Sequence, residues 1–354
     1  MSLPLEKLKI TSQKISCSVV GARGYAGLEL AKLLLQHPNT DLKFCFATSE
    51  FKLSDYLNTQ AAEKVACLTD DKILDHLTDV VFLATPAEVS LKLAPKILAA
   101  GKKVIDLSGA FRLKQNSYEK WYGFQHTEKA WLEKAQYGLL PWVGPASSEK
   151  LIANPGCFAT AVTMALIPLI KEKVISLDHI VIDAKSGATG GGRNAKENLL
   201  FSEVDGECLP YKVGKHQHYP EIVEAINEST GEKIEAHFTT SLLPVRRGII
   251  AGIYASLNAN QTLHEVKAAF AKAYADYPLV KFGEVGTGST LLPLKKVVGT
   301  GKTHISFTVE DNKLYVFSTI DNLMKGAASQ AIENLNRILD LPVQTGIAGA
   351  EAMI

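Results

Sequence analysis

Apolar residues in the first half of the chain alternate between short unbroken runs and stretches with helical spacing. The short runs predict strands over residues 15–20, 42–48, 80–85 and 104–107. The spaced stretches predict helices over residues 25–36 and 89–100, which end at proline or glycine. Strands and helices that alternate in this way predict a doubly wound parallel sheet of the α/β class.

The pattern changes beyond Pro155. Residues 159–171 predict a strongly apolar helix, and strands then dominate, over residues 179–184, 236–242, 248–256, 304–309 and 314–320. This order predicts an α+β domain with a mostly antiparallel sheet. Residues 323–339 predict a final amphipathic helix. We therefore expect one domain over residues 1–155 together with 323–354, and a second over residues 156–322.

Length and composition narrow the class of protein. The chain has 354 residues, enough for roughly two domains. Its net charge of +1 gives no reason to expect nucleic acid or an acidic membrane as a partner. It lacks a membrane-length apolar run and a signal-peptide pattern. The five cysteines form no CxxC, which favours reduced thiols and a cytoplasmic location.

A glycine-rich loop follows the first predicted strand and opens the first predicted helix. Its GxxGxxG spacing is a variant of the dinucleotide fingerprint. Glycine lets the backbone turn sharply and approach a pyrophosphate, whose charge the amides at the helix start then meet. The alternative is a tight turn without a ligand. The predicted cofactor-binding residues of this loop are Gly21, Arg23, Gly24, Tyr25, Ala26 and Gly27.

The end of the second predicted strand favours NADP over NAD. Sites specific for NAD usually carry an acidic residue there, which binds the ribose 2′-hydroxyl. Here Thr48 and Ser49 occupy the position, and Glu50 follows them. Hydroxyl groups suit a 2′-phosphate and Arg23 would add positive charge, whereas Glu50 leaves NAD open. We predict NADP(H), with Thr48 and Ser49 in its site.

Cys157 stands where the chain enters the long apolar helix. Pro155 and Gly156 make the turn, so Cys157 lies at or near the first helical residue. The helix dipole and free amides there lower a thiol pKa and hold an oxyanion on an attacked carbonyl. The other cysteines are interpreted as inert apolar residues. We therefore predict Cys157 as a nucleophile.

Three segments resemble those of the N-acetyl-γ-glutamyl-phosphate reductases. They are IANPGCFATA at residues 152–161, GARGYAGLEL at 21–30 and DNLMKGAA at 321–328, and the resemblance spans nearly the whole chain. It implies a Rossmann NAD(P)-binding domain plus an α+β domain like that of glyceraldehyde-3-phosphate dehydrogenase. It also implies that the C-terminal helix returns to the Rossmann domain and that Cys157 is the catalytic nucleophile.

The segment HQHYPE at residues 216–221 is similar to an HxHxPE segment of that family. Histidine serves as a base for a thiol and as a proton donor near neutral pH. The resemblance implies that His216 is the acid/base, and that His218 and Glu221 support it or bind substrate. A surface turn is the plain alternative. A metal site that joins both histidines to Cys157 and Cys208 lacks regular ligand spacing, so none is predicted.

Several residues are candidates for binding the anionic groups of a substrate. A second glycine-rich loop, KSGATGGGR at residues 185–193, resembles an active-site loop of the family, and its amides and last arginine would hold a phosphate. The alternative is a flexible crossover loop. Arginine pairs with phosphate and carboxylate in a bidentate manner. The predicted substrate-binding residues are Arg112, Ser186, Arg193, His218, Glu221 and Arg247. Asn322 either caps the last helix or, by resemblance, binds the nicotinamide amide.

These features predict an NADPH-dependent acyl-phosphate reductase that forms a thioester on Cys157. A thioester accepts hydride more readily than a carboxylate, so covalent capture divides a hard step into two easier ones. The resemblance implies N-acetyl-γ-glutamyl phosphate as substrate, arginine biosynthesis as the setting, and a homo-oligomer, either dimer or tetramer. Open alternatives are the N-succinylglutamyl, aspartyl or carrier-linked aminoadipyl phosphates as substrate, a non-catalytic NADP sensor, and a dehydrogenase without a covalent step.

Overall fold

The first half of the chain forms a parallel sheet in the computed structural model, which describes residues 14–193, 196–286 and 292–348. The strand order is β3-β2-β1-β4-β5-β7-β6, and every pair is parallel. The strands are β1 (Ile15–Val20), β2 (Thr40–Ala47), β3 (Ala66–Thr69), β4 (Val80–Leu83), β5 (Lys103–Asp106), β6 (Gln136–Tyr137) and β7 (Leu151–Ala153). The order reverses between β1 and β4, where doubly wound sheets bind their ligands. The predicted parallel sheet is confirmed.

The second sheet is mixed and mostly antiparallel, as predicted. Its order is β12-β13-β14-β11-β8-β10-β9, with parallel pairing only in β12–β13 and β8–β10 among the described strands. The strands are β8 (Ile180–Gly187), β9 (Leu209–Pro210), β10 (Ala236–Leu243), β11 (Ile249–Ser256), β12 (Val280–Glu284), β13 (Thr303–Glu310) and β14 (Lys313–Ile320).

Helices cover these sheets and connect their strands. They are α1 (Tyr25–Gln36), α2 (Gln60–Glu63), α3 (Ala87–Ala99), α4 (Tyr118–Tyr122), α5 (Lys129–Leu132), α6 (Cys157–Lys171), α7 (Phe201–Val204), α8 (His218–Thr230), α9 (Leu263–Tyr274) and α10 (Ser329–Ile338), with a π-helical turn over Met324–Ala328. Within the three described ranges, no helix has the length and apolar character of a membrane span.

Helix α6 passes through the largest core of the molecule. Every residue after Cys157 as far as Ile170 is buried, and the helix packs on α8, α9, β11 and β14. Such a helix is apolar all round, because none of its faces meets water. This packing fixes the position of its first residue, Cys157, relative to the second sheet.

The last helix is buried more completely than its amphipathic pattern indicates. Helix α10 packs on α1 and β5 of the first sheet, and its polar residues are buried together with its apolar ones. Gln330 and Asn334 donate to the carbonyl of Gly138, and Asn336 shares a 2.8 Å hydrogen bond with His37. The polar face is therefore a hydrogen-bonded internal contact, which periodicity alone cannot distinguish from a solvent face. Residues 349–354 of the predicted C-terminal segment lie outside the described residues.

Candidate active site

The glycine loop after β1 packs closely against backbone atoms and leads into an uncapped helix. Gly21 has φ +79°, and a Cβ there would lie 2.4 Å from the carbonyl oxygen of Ala84. A Cβ on Gly27 would lie 2.4 Å from the carbonyl oxygen of Gly21. Gly24 is the N-cap of α1, and no side chain among the described residues caps this helix. The N–H groups of its first turn, which includes Tyr25 and Ala26, are thus free to meet a pyrophosphate.

The end of β2 offers cationic and hydroxyl groups to a cofactor. Thr48 and Ser49 are exposed directly after the strand, and Arg23 Nη1 donates to Ser49 Oγ. Arg23 Nε is buried and has no hydrogen-bond partner in the described part of the chain. A 2′-phosphate would complete this arrangement, so these residues fit NADP(H). Glu50 is exposed beside them.

Cys157 is the first residue of α6, as predicted, but its thiol is not activated at rest. Gly156 is the N-cap, and no side chain within the described ranges caps the helix. Burial raises the pKa of Cys157 to about 11, and the Arg112 guanidinium and the N–H of Phe158 oppose that rise only in part. The start of the helix does lower the thiol pKa, as expected, but desolvation outweighs it and the net pKa is raised. The thiol is protonated near neutral pH.

Glu221 holds the loop in front of Cys157. Its Oε1 accepts a 2.7 Å hydrogen bond from Gly156 N–H and a 2.8 Å hydrogen bond from Tyr137 Oη. Its Oε2 lies 3.5 Å from Arg112 Nη1, and both side chains are buried. The carboxylate thus fixes the backbone at the residue before the nucleophile.

Arg112 is committed to this same loop. Its Nε donates to the carbonyl of Asn154 at 2.7 Å and its Nη2 donates to the carbonyl of Leu107 at 2.5 Å. Because Nη1 faces Glu221, all three nitrogens of the guanidinium contact groups on or next to this loop. The sequence predicts that Arg112 binds a substrate anion and that Glu221 supports His216 or binds substrate, whereas in the structure each is paired with the other and with backbone groups. They position the loop.

The two histidines lie beside the nucleophile in a mostly apolar setting. The rings of His216 and His218 are 4.8 Å apart, and Phe158 packs edge-on against both. His218 Nε2 is 2.4 Å from the place where a Cβ on Gly156 would lie, so glycine is required there. Burial lowers the pKa of His216 to about 2 and lowers that of His218 well below its usual value. Both imidazoles are neutral.

A hydrogen bond fixes the tautomer of His216. The backbone N–H of His218 donates to His216 Nδ1 at 3.1 Å. A neutral ring that accepts at Nδ1 carries its proton on Nε2. His216 therefore presents an N–H donor from Nε2, whereas His218 Nδ1 is buried without a hydrogen-bond partner among the described residues.

Arg247 joins the two halves of the molecule rather than facing a substrate. Its Nη1 is 2.5 Å from Glu29 of α1, and its Nη2 is 3.0 Å from Asp321, which is fully buried. Arg247 was predicted to bind substrate. In the structure it instead links α1, through Glu29, to Asp321 directly after β14.

Asn322 is bound on both sides of its amide. Its Oδ1 accepts from Gly248 N–H at 2.8 Å and its Nδ2 donates to Thr189 Oγ1 at 3.0 Å. Capping of the following turn falls to Asp321, whose Oδ1 accepts from the N–H groups of Leu323 and Met324. The expectation that Asn322 caps the helix is wrong. One amide hydrogen is left for the predicted nicotinamide contact.

The two predicted substrate-binding residues of the second glycine loop, Ser186 and Arg193, lie in different environments. Ser186 is buried, and its hydroxyl donates to the carbonyl of Gly187. Arg193 is exposed and reaches the first sheet, where Nη1 donates to the carbonyl of Arg23 at 2.9 Å. A shared site for the substrate phosphate would require Arg193 to lie near the loop of Cys157. It contacts Arg23 instead.

Comparison with known proteins agrees with this arrangement. Residues 16–150 match the family model "Semialdehyde dehydrogenase, NAD binding domain", and residues 157–322 match "Semialdehyde dehydrogenase, dimerisation domain". A curated N-acetyl-gamma-glutamyl-phosphate reductase of Streptococcus thermophilus is 40% identical over 326 residues, which are 90% of this chain and 94% of the relative. One of Brevibacillus brevis is 37% identical, over 94% of this chain and 98% of the relative. The chain belongs to the N-acetyl-gamma-glutamyl-phosphate reductase family, within the semialdehyde dehydrogenases.

Solved structures share the fold of this reductase-family chain. An aspartate semialdehyde dehydrogenase II of Vibrio cholerae aligns with a TM-score of 0.69 at 16% identity, over 93% of this chain and 99% of its own. The aspartate semialdehyde dehydrogenase of Candida albicans, solved with NADP, aligns with a TM-score of 0.67 at 16% identity and the same coverage. The Rossmann-like sheet followed by a mixed sheet is thus a fold that semialdehyde dehydrogenases share.

The site of this reductase-family chain also contains Gly326 and Lys325, which were not among the predicted site residues. A Cβ on Gly326 would lie 2.7 Å from Cys157 Cβ, so the π-helical turn packs directly on the nucleophile. Lys325 in the same turn is fully buried and binds both oxygens of Glu333, at 2.9 and 2.7 Å. Tyr277 donates to Glu333 at 2.5 Å. Charged residues such as Lys325 and Glu333 are almost never fully buried unless they are paired. Their position among the apolar residues of the last helix was the sequence feature that could have indicated this pair.

Proposed function

We propose that this chain reduces N-acetyl-γ-glutamyl phosphate with NADPH, giving N-acetylglutamate semialdehyde and phosphate through a thioester on Cys157. The observation that supports the proposal best is the placement of Cys157 at the start of α6, beside two neutral histidines, on a loop that Glu221 and Arg112 hold. The uncapped start of α1 after the glycine loop can meet a pyrophosphate, and residues 16–150 match an NAD-binding domain. Membership of the reductase family names the substrate.

In the first step, Cys157 Sγ bonds to the acyl carbon and the bond to the phosphate oxygen breaks. The uncapped N–H groups at the start of α6 stabilise the oxyanion that forms during this exchange. The thiol proton must leave, because the pKa of Cys157 is about 11. We assign His218, which packs against Gly156, to pass this proton on to the departing phosphate, so that the imidazole, whose burial holds its pKa well below the usual value, ends the step neutral.

The second step converts the thioester to the aldehyde. A bound reduced nicotinamide supplies the hydride. The negative charge that then develops on the former carbonyl oxygen needs a hydrogen-bond donor, and His216 offers Nε2–H in a fixed tautomer. The carbon–sulfur bond breaks as the aldehyde forms, and the partly exposed sulfur then takes a proton from solvent. A neutral donor suits the low pKa of His216, because a histidinium would be costly in this apolar setting.

We further propose a cytoplasmic homo-oligomer, dimer or tetramer, that assembles through the second sheet. One face of that sheet is covered by α6, α8 and α9. The other carries Tyr254, Tyr315 and Phe317, which are only half-buried and form an edge-to-face cluster. The name of the matching family model, a dimerisation domain, supports this surface as the contact.

Replacement of the nucleophile tests the mechanism. Cys157→Ser is expected to abolish reduction of N-acetyl-γ-glutamyl phosphate while NADPH binding, followed by fluorescence titration, stays unchanged. Cys208→Ser, which changes an exposed thiol, is the control and keeps full activity. Full turnover by Cys157→Ser would refute the covalent step. Higher kcat/KM with aspartyl or N-succinylglutamyl phosphate would refute the substrate.

A further inference from the structure

Arg193 reaches across from the second sheet to the adenosine side of the glycine loop. It ends the loop that follows β8, yet its guanidinium donates to the backbone carbonyl of Arg23 at 2.9 Å. The same guanidinium lies over the ring of Tyr56, 5.0 Å from its centroid. Tyr56 follows β2 by nine positions, so Arg193 lies on the β2 side of the loop rather than on the Cys157 side.

Two arginines from different sheets thus converge on one place. The side chain of Arg23 turns toward Ser49 at the end of β2, and its backbone holds Arg193. Among the described residues, neither guanidinium forms an ion pair with a carboxylate; their partners are a hydroxyl, a carbonyl and an aromatic ring. Arg23 Nε is also buried without a partner in that part of the chain. This is an excess of positive charge without an internal counterion.

The position indicates which anion would neutralise it. In a Rossmann fold the pyrophosphate lies at the start of α1, and the adenosine ribose lies at the end of β2. Groups that gather around Ser49 and Tyr56 therefore face the ribose. A phosphate on the 2′-oxygen there would accept charge-assisted hydrogen bonds from both guanidiniums. Stacking on Tyr56 would hold the plane of Arg193 ready for it.

We propose that Arg193, reaching over from the second sheet, binds the 2′-phosphate of NADP(H) together with Arg23 and Ser49, and so determines cofactor choice. This rests on the proposed use of NADPH. Because Arg193 belongs to the loop after β8, the 2′-phosphate would also tie that loop to the first sheet when the cofactor binds. NADH lacks this phosphate and would leave the arginine on Tyr56.

Binding of nucleotide fragments tests the proposal without any turnover. Calorimetric titration would compare 2′,5′-ADP with 5′-AMP, which differ only in the 2′-phosphate. Arg193→Ala is expected to weaken 2′,5′-ADP binding by about ten- to a hundredfold, the range of one or two charge-assisted hydrogen bonds, and to change 5′-AMP binding less than twofold. Arg193→Lys should recover part of the loss. Arg246→Ala, an exposed arginine that contacts the same loop through its backbone only, is the control.

Three outcomes would contradict the proposal or the cofactor assignment on which it rests. Equal weakening of both fragments by Arg193→Ala would show a role in folding the loop or in binding another phosphate, and would overturn it. So would unchanged binding of 2′,5′-ADP. A wild-type chain that binds 5′-AMP as tightly as 2′,5′-ADP would overturn the NADPH assignment itself, whereas either of the first two outcomes with the wild-type preference intact overturns the role of Arg193 alone.

Discussion

Replacement of Glu221 by glutamine should affect the chemistry of Cys157 in two opposite directions. The substitution keeps the shape of the side chain but removes its charge. In the native chain that charge accepts hydrogen bonds from Gly156 N–H and Tyr137 Oη and faces Arg112 Nη1. It also raises the pKa of Cys157, while Arg112 lowers it.

The magnitudes follow from burial. The side chains of Glu221 and Arg112 are 1% and 6% exposed, so Glu221→Gln leaves a buried guanidinium without its counterion. Breaking such a pair costs about 3–5 kcal/mol, so the free energy of unfolding should fall by about that amount. The glutamine oxygen can still accept from Gly156 N–H, but its NH2 group then faces the Arg112 guanidinium, which loosens the loop and displaces the nucleophile. A misplacement of about 1 Å costs about a hundredfold in rate. The thiol pKa should fall below about 11, and each unit of that fall gives about tenfold more thiolate.

Two measurements separate these effects. Alkylation of Cys157 by iodoacetamide, followed by mass spectrometry of its peptide between pH 7 and 10, reports the thiolate without substrate. Steady-state kinetics report kcat and KM. In the native chain the alkylation rate should rise about tenfold per pH unit throughout this range, because the thiol is protonated below about pH 11. In Glu221→Gln alkylation should be faster at every pH, whereas kcat should be lower.

A neighbouring glutamate provides the control. Glu224, one turn later on α8, accepts from Lys114 N–H and Ser117 Oγ and does not contact the loop of Cys157. Glu224→Gln should leave both the alkylation profile and kcat unchanged. Slower alkylation in Glu221→Gln would refute the reasoning about charge. An unchanged kcat with a raised KM would show that Glu221 binds substrate, as the resemblance first implied.

Two further predictions concern the π-helical turn behind the nucleophile. Gly326→Ala would place a methyl group 2.7 Å from Cys157 Cβ, so activity should fall at least about tenfold and stability by about 1–3 kcal/mol, measured by kinetics and urea unfolding. Gly286→Ala should be neutral, because a Cβ there meets no atom of the described residues within 4 Å. Equal activity of the two variants would contradict the proposed packing. Lys325→Met leaves Glu333 buried and unpaired and should cost about 3–5 kcal/mol in urea unfolding. The double variant Lys325→Met/Glu333→Leu should be less destabilised than Lys325→Met, and additive losses would show that the two charges do not stabilise one another.

The sequence by itself determined the features that depend on neighbouring residues along the chain. Alternating strands and helices predicted the parallel sheet, because the period of apolar residues reflects which face each element buries. The glycine spacing predicted the loop before α1, since only glycine fits where Gly21 and Gly27 approach other backbone atoms. The turn at Pro155 and Gly156 placed Cys157 at the first residue of α6.

Only the tertiary structure decided what those residues do for one another. In the sequence, Arg112, Arg247 and Arg193 were all candidates for binding an anionic group of the substrate. In the fold, Arg112 pairs with Glu221, and Arg247 pairs with Glu29 and Asp321. Arg193 donates to the carbonyl of Arg23. The thiol pKa likewise shows a net rise, because segments distant in sequence, such as the turn that contains Gly326, pack on Cys157 and leave it only partly exposed. Partners and desolvation depend on distances in space, which the spacing of residues along a chain does not contain.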